Sequence, residues 1–221
     1  MAIKNIVIIG AGGFAREVKW LIEEINKKKM QYKFLGFVVS DLTKLGTNDS
    51  TGEVLGDFNW LEQNKNKIDA LTIGIGTPLV RAGIGDKLEK SLPELEWPNL
   101  IHPSVLMDYG SVQYGRGIIL CANVVGTVNL EFADFCMVNL SCTVGHEARL
   151  GKGCVSNPTV NISGGVIIED EVLIGTGAQV LQYIRIGKGA SIGAGAVVTR
   201  DVQPGETVVG IPAKPLIRKI K

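Results

Sequence analysis

Only two histidines occur among the 221 residues, and histidine is the side chain that most readily exchanges protons near neutral pH. His102 lies in Ile101-His102-Pro103. His146 lies in Val144-Gly145-His146-Glu147, where the adjacent carboxylate can orient the imidazole or favour its protonated form. A second chemical element is Gly10-Ala11-Gly12-Gly13-Phe14-Ala15, which fits G-x-G-x-x-A between an apolar run and a helical pattern. Amides at a helix N-terminus attract anions, so Gly10, Gly12 and Gly13 form a candidate phosphate cradle whose default ligand is a dinucleotide. Asp41 is a candidate ribose or base contact, or simply a loop-starting acid. Gly74, in Gly74-Ile75-Gly76, falls on the same sheet edge as the cradle. Cys136, Cys142 and Cys154 recur in register but have no histidine beside them. They read as small core residues rather than metal ligands.

The elements that carry these residues follow two rules. In the first hundred residues, strand and helix signals alternate. Asn5–Ile9 is a short β-branched run, as a buried parallel strand should be. Phe14, Val18, Leu21, Ile22 and Ile25 then recur at helical spacing. Strands are expected at Lys33–Val39, Ala70–Ile75 and Pro98–Ile101, with helices at Phe58–Gln63 and Pro78–Leu92 and a polar loop at Thr43–Gly52. The pattern predicts a minimal βαβ-type, Rossmann-like parallel sheet.

The second half repeats every six residues. Fourteen positions run from Leu120 to Val198, and all are large and apolar except Gly126 and Ser156. The position two before each is apolar in all fourteen cases, and in seven of them it is Ala or Cys. Residues i and i+2 of a strand share a face, so the period describes two-residue rungs joined by turns. Three rungs make an eighteen-residue coil, and about five coils fit between Ser104 and Gln203. No amphipathic helix or continuous strand gives this period. Asn139 and Asn157 stack on successive coils, as a side-chain ladder would require. His146 falls two residues past the inward Val144, near a corner, with Gly164 one coil away.

The run LIGTGAQVLQYIRIGKGASIGAGAVVTRDVQPGETVVGIPAKP (Leu173–Pro215) resembles the hexapeptide-repeat acyltransferases. With GAGGFAREV (Gly10–Val18) and LIHPSV (Leu100–Val105), the whole chain is similar to their nucleotide-sugar acetyltransferase subfamily. That subfamily includes the bacillosamine-pathway N-acetyltransferases and sialic-acid O-acetyltransferase-like proteins. The resemblance implies a left-handed parallel β-helix over 103–221, behind a nucleotide-sugar-binding domain over 1–102. It also implies a homotrimer and acetyl-CoA as co-substrate. It makes His146 the general base, with Glu147 and Asn139 in the same site, and turns the glycine cradle toward the nucleotide of a nucleotide sugar. Some members carry a second histidine near position 155, where this chain reads Cys154-Val155-Ser156, so that cofactor contact is absent or replaced. The segments Gly175-Thr176-Gly177-Ala178 and Gly193-Ala194-Gly195-Ala196 are stacked candidates for backbone contacts to CoA, at Gly175, Ala178 and Gly193. Lys214, Arg218, Lys219 and Lys221 form a basic tail suited to CoA phosphates or to solubility.

The totals agree. A formal charge of +1 gives no reason to propose a nucleic-acid or membrane surface. No apolar run reaches the roughly 18 residues of a membrane span, no signal peptide opens the chain, and four cysteines read as reduced thiols, so a cytoplasmic location is expected. With 28 glycines and 6% aromatics, the composition suits a turn-rich repeat. The expected activity is acetyl-CoA-dependent N-acetylation of a nucleotide-linked amino sugar in bacterial glycan or surface-polysaccharide synthesis, without a metal. Sugar O-acetylation, a non-catalytic nucleotide-binding scaffold and a dinucleotide-dependent enzyme are the alternatives.

Overall fold

The computed structural model describes residues 2–216. Strand β1 (Lys4–Ile9) leads through α1 (Gly13–Lys28) to β2 (Tyr32–Val38). Next come β3 (Val54–Gly56), α2 (Phe58–Asn64), β4 (Ala70–Ile73) and α3 (Pro78–Ser91). The four strands are parallel in the order β3-β2-β1-β4. The order reverses between β1 and β4, and a ligand crevice opens at such a switch point beyond the carboxyl ends of the strands. Gly10–Gly13 and Gly74–Gly76 both lie there. Val54–Gly56 was not expected as a strand, since three residues are too few to show alternation.

Strand β5 (Leu100–Ile101) corrects one expectation. It pairs with Ile119–Leu120 of the repeat and so starts the β-helix rather than closing the first sheet. The repeat itself forms three parallel walls of two-residue rungs. The first wall begins at β5 and passes through Met137–Val138 and Val155–Ser156. The second runs from Val125–Gly126 through Thr143–Val144 to Val197–Val198. The third runs from Gln113–Tyr114 through Arg149–Leu150 to Arg185–Ile186. The second and third walls have five rungs each, which gives the five coils expected. This is the architecture of a left-handed β-helix.

All fourteen pairs of inward positions are buried, including Ser156 and Gly126. The third residue of each corner is left-handed whatever its type: Phe135 at φ 59°, Glu147 at 61°, Tyr183 at 60° and Gly177 at 71°. A positive φ at that place is the signature of a type II turn, in which the second corner residue projects farthest. The first wall's outward stripe of Leu100, Ile119, Met137 and Val155 packs into one apolar cluster with Val18, Leu21, Ile22 and Ile25 of α1. The two halves therefore share a core.

Candidate active site

His146 and Glu147 are the second and third residues of the corner between the second and third walls. Both are exposed, and His146 Nδ1 lies 3.5 Å from Glu147 Oε2. A carboxylate on Nδ1 leaves Nε2 as the nitrogen able to take a proton. A Cβ added to Gly164 would come within 2.4 Å of Nε2, so the imidazole fills the space that Gly164 leaves. The glycine expected one coil away thus seats the ring.

Asn139 sits at the other end of the same rung, at the corner between the first and second walls. It is only 6% exposed, and its Oδ1 accepts the Leu140 amide at 2.7 Å. A single chain thus does not bring Asn139 and His146 together, and this geometry gives Asn139 a turn-capping role. Asn157 has its amide on the Ile174 carbonyl at 2.9 Å, and its carbonyl accepts the Cys142 thiol at 3.1 Å. Burial pushes the Cys136 thiol up to about 12 and the Cys142 thiol up to about 11, as expected of core cysteines. Among the described residues no cluster of three or more metal-ligating side chains occurs. His102 faces its own loop, where its Nδ1 accepts the Ser104 amide at 3.0 Å. Desolvation by burial holds its pKa below the ordinary histidine value. Val155 is fully buried beneath α1, so the replaced histidine position opens onto no groove here.

At the switch point the glycines divide into two kinds. A Cβ on Gly74 would clash with Ala15 at 2.7 Å, and Gly10, at φ 107°, lies against the Gly74 carbonyl. These two let α1 approach the strands closely. Gly12, the N-cap of α1, and Gly13, its first residue, face the crevice. The nearest group to a Cβ on Gly12 would be the Asp49 carboxylate, at 3.5 Å. Asp41 accepts from the Thr43 amide and hydroxyl at 3.0 and 2.6 Å, and these bonds hold its carboxyl below the usual range. Sequence reasoning missed the strap across the crevice. Arg16 Nη1 donates to the Asn48 carbonyl at 2.7 Å, and the Ser50 amide donates to the Ala11 carbonyl at 3.0 Å. The only signal was the polar loop itself.

The coil takes up the amides at the three positions expected to meet CoA. The Gly175 and Gly193 amides already bond the next coil, at 2.8 Å to the Ile192 and Val208 carbonyls. The Ala178 amide closes its own turn on Gly175, and the Ala178 methyl is buried in the core. None of the three can donate outward. The second corner residue is the one whose amide the coil leaves over. At Leu140 it is capped by Asn139, and at Pro158 it does not exist. At Thr176 and Ala194, among the described residues, it stays free on exposed positions. Gly193 lies against Val209, the pairing partner of Lys214, so the exposed Lys214 falls in line with these donors. Arg218, Lys219 and Lys221 lie outside the described residues.

Comparison with known proteins places this geometry. Residues 5–88 match the PglD N-terminal domain model, and residues 157–200 match the bacterial transferase hexapeptide (six repeats) model. A perosamine N-acetyltransferase from Caulobacter crescentus is 29% identical, with a TM-score of 0.85 over 98% of this chain and 99% of that one. It was solved with one histidine replaced by asparagine, in complex with CoA and GDP-perosamine. WeeI from Acinetobacter baumannii is 30% identical, with a TM-score of 0.81 over 96% of this chain and 99% of that one. The curated putative acetyltransferase C18B11.09c of Schizosaccharomyces pombe is 35% identical over 60% of this chain. The chain spans 62% of that protein's length and 23% of a curated UDP-3-O-acylglucosamine N-acyltransferase from Caulobacter. The acetyltransferase domain of PglB from Neisseria gonorrhoeae is 30% identical, with a TM-score of 0.83 over 96% of this chain and all of that domain. The chain belongs to the hexapeptide-repeat acetyltransferases that carry a PglD-type N-terminal domain, the group that contains the nucleotide-sugar N-acetyltransferases.

Proposed function

We propose that the chain transfers the acetyl group of acetyl-CoA to the amino group of a nucleotide-linked amino sugar, with His146 as general base, in bacterial glycan or surface-polysaccharide synthesis. The observation that carries this is the exposed His146 imidazole, seated on Gly164 with Glu147 on Nδ1. His146 Nε2 accepts the proton that the sugar nitrogen loses as it attacks the thioester carbonyl. The new C–N bond forms, the C–S bond breaks, and the CoA thiolate leaves and is protonated. Glu147 stabilises the imidazolium that forms. The similar perosamine enzyme, solved with CoA and GDP-perosamine, supports both substrate classes.

Residues 1–102 and 103–221 divide the work in this proposal. Gly12 and Gly13 offer the α1 N-terminus to the nucleotide phosphates, with Gly10 and Gly74 shaping the turn and Asp41 at the rim. The Thr176 and Ala194 amides run along the pantetheine arm, with Lys214 toward the CoA phosphates. These donors and His146 lie on opposite edges of the second wall. A second copy packed on that wall brings one chain's donors to the other's histidine, which favours a homotrimer. The exposed apolar groups Leu106, Val125, Val128 and Tyr183 lie on or beside that wall and support the same packing. Four buried free cysteines suit a reducing compartment, and we place the protein in the cytoplasm.

The test is CoA-thiol release against a panel of UDP-, GDP- and dTDP-linked amino sugars, with hydroxyl analogues alongside. The proposal expects one amino sugar to be turned over and its hydroxyl analogue to be inert. Turnover of the hydroxyl analogue alone replaces N- with O-transfer, and no turnover of any acceptor rejects the proposal. Gly12→Val is expected to raise the nucleotide-sugar KM while acetyl-CoA binding persists.

A further inference from the structure

Arg81, on α3, is fully buried and has no ion-pair partner among the described residues. A guanidinium removed from water without a carboxylate is costly unless its donors are met by well-placed acceptors. Here they are. Nη1 donates to the Ile73 carbonyl at 2.6 Å and to the Ile75 carbonyl at 3.3 Å. Nε donates to the Phe135 carbonyl, and Nη2 to the Gly117 carbonyl at 3.4 Å. Burial lowers its pKa to about 10, so it remains charged at neutral pH.

These four carbonyls belong to two different places. Ile73 and Ile75 flank Gly74, which packs on Ala15 of α1 and touches Gly10, so they carry one edge of the nucleotide crevice. Gly117 and Phe135 are corner residues of the β-helix, and Phe135 opens the coil that continues through Asn139 to His146. Adhesion between the halves does not need the charge. The Phe135 ring fills the space left by Gly85 and Gly117, Ala82 abuts Gly153, and Lys152 pairs with Asp86 and Arg116 with Glu89. An apolar side chain at position 81 would add contact at lower desolvation cost. A planar fork bonded to both sides adds direction instead.

We infer that Arg81 is a positioning residue, which fixes the nucleotide crevice relative to the coil that carries His146 and so sets where a nucleotide-held amine meets the base. This rests on the function proposed above. The test compares wild type with Arg81→Met and with Arg81→Lys, which keeps the charge but loses the fork. The acceptors are a nucleotide-linked amino sugar and the same sugar without its nucleotide. A displacement of about 1 Å costs on the order of 100-fold in rate, so kcat for the nucleotide-linked acceptor should fall about 10- to 100-fold. Its KM and the CoA affinity should stay within about threefold, and turnover of the free sugar should be unchanged. Phe135→Leu, which keeps the Phe135 carbonyl, should lower Tm without that split. If Arg81→Met does not fold, Arg81→Lys carries the comparison. Parallel loss of both acceptors, or retained kcat in the variants, overturns the inference. A wild-type protein inert toward both acceptors overturns the functional proposal instead.

Discussion

Two columns of corners in the β-helix share one backbone and have opposite surroundings. Between the third and first walls, three of the leftover second-residue amides are capped by acids. Asp134 accepts from the Arg116 amide at 2.9 Å, Asp170 from the Lys152 amide at 2.8 Å, and Glu169 from the Lys188 amide at 2.8 Å. Phe135 there is buried in its left-handed corner beneath α3, edge-on to Trp97 at 5.1 Å. Between the second and third walls the same turn presents His146 to solvent, and an aromatic ring, that of Tyr183, lies over Gly165 instead of in a core. One corner geometry thus buries its side chain on one edge and presents it to solvent on the other. What decides is which neighbour covers it.

The largest expected effect that would break this contrast is at Phe135. Phe135→Ala empties the wedge between the halves and should cost about 3–5 kcal/mol, read by denaturant unfolding. An equally large loss from Tyr183→Ala in the isolated chain would erase the distinction. Next comes Gly164→Ala, whose methyl would occupy the seat of the imidazole. It should lower kcat by about 10- to 100-fold through displacement of the base, with little change in Tm. A smaller effect is expected at Asp134. Asp134→Ala leaves the Arg116 amide without its partner and should cost about 1 kcal/mol, with turnover unchanged. The smallest concerns pH. The Lys188 amide and the Arg185 side chain hold the Glu169 carboxyl below its ordinary value near 4.5. A depressed folded-state pKa contributes stability above the unfolded pKa, lost as pH falls through the folded one. Glu169→Gln should therefore lower the neutral Tm slightly and flatten its decline with acid below about pH 4.5, so that the two proteins converge at low pH, measured by calorimetry.

The contrast also shows what can be read in a sequence. The period of six is legible because the inward rungs tolerate only apolar or small residues, and every position so identified is buried. His146 and Glu147 are legible by type, and Gly164 by its eighteen-residue spacing. The left-handed corners are not, since Phe135, Glu171 and Tyr183 occupy them as readily as glycine does. Nor is the burial of Val155, because rung residues alternate in and out whether or not a second domain covers the wall. Composition marks tight turns at Gly175–Ala178 and Gly193–Ala196, but not which amide the ladder leaves over. Arg81 gave no signal at all, because an arginine on a helix ordinarily faces water.

Steady-state turnover of His146→Ala under saturating acetyl-CoA and acceptor tests the central claim most directly. Loss of a general base should lower kcat by about 10²- to 10⁴-fold, with both substrates still bound and Tm close to wild type, while His102→Ala stays near full activity. If His146→Ala retains near-full kcat, the exposed corner is not the seat of the chemistry, and the assignment of His146 as base is wrong.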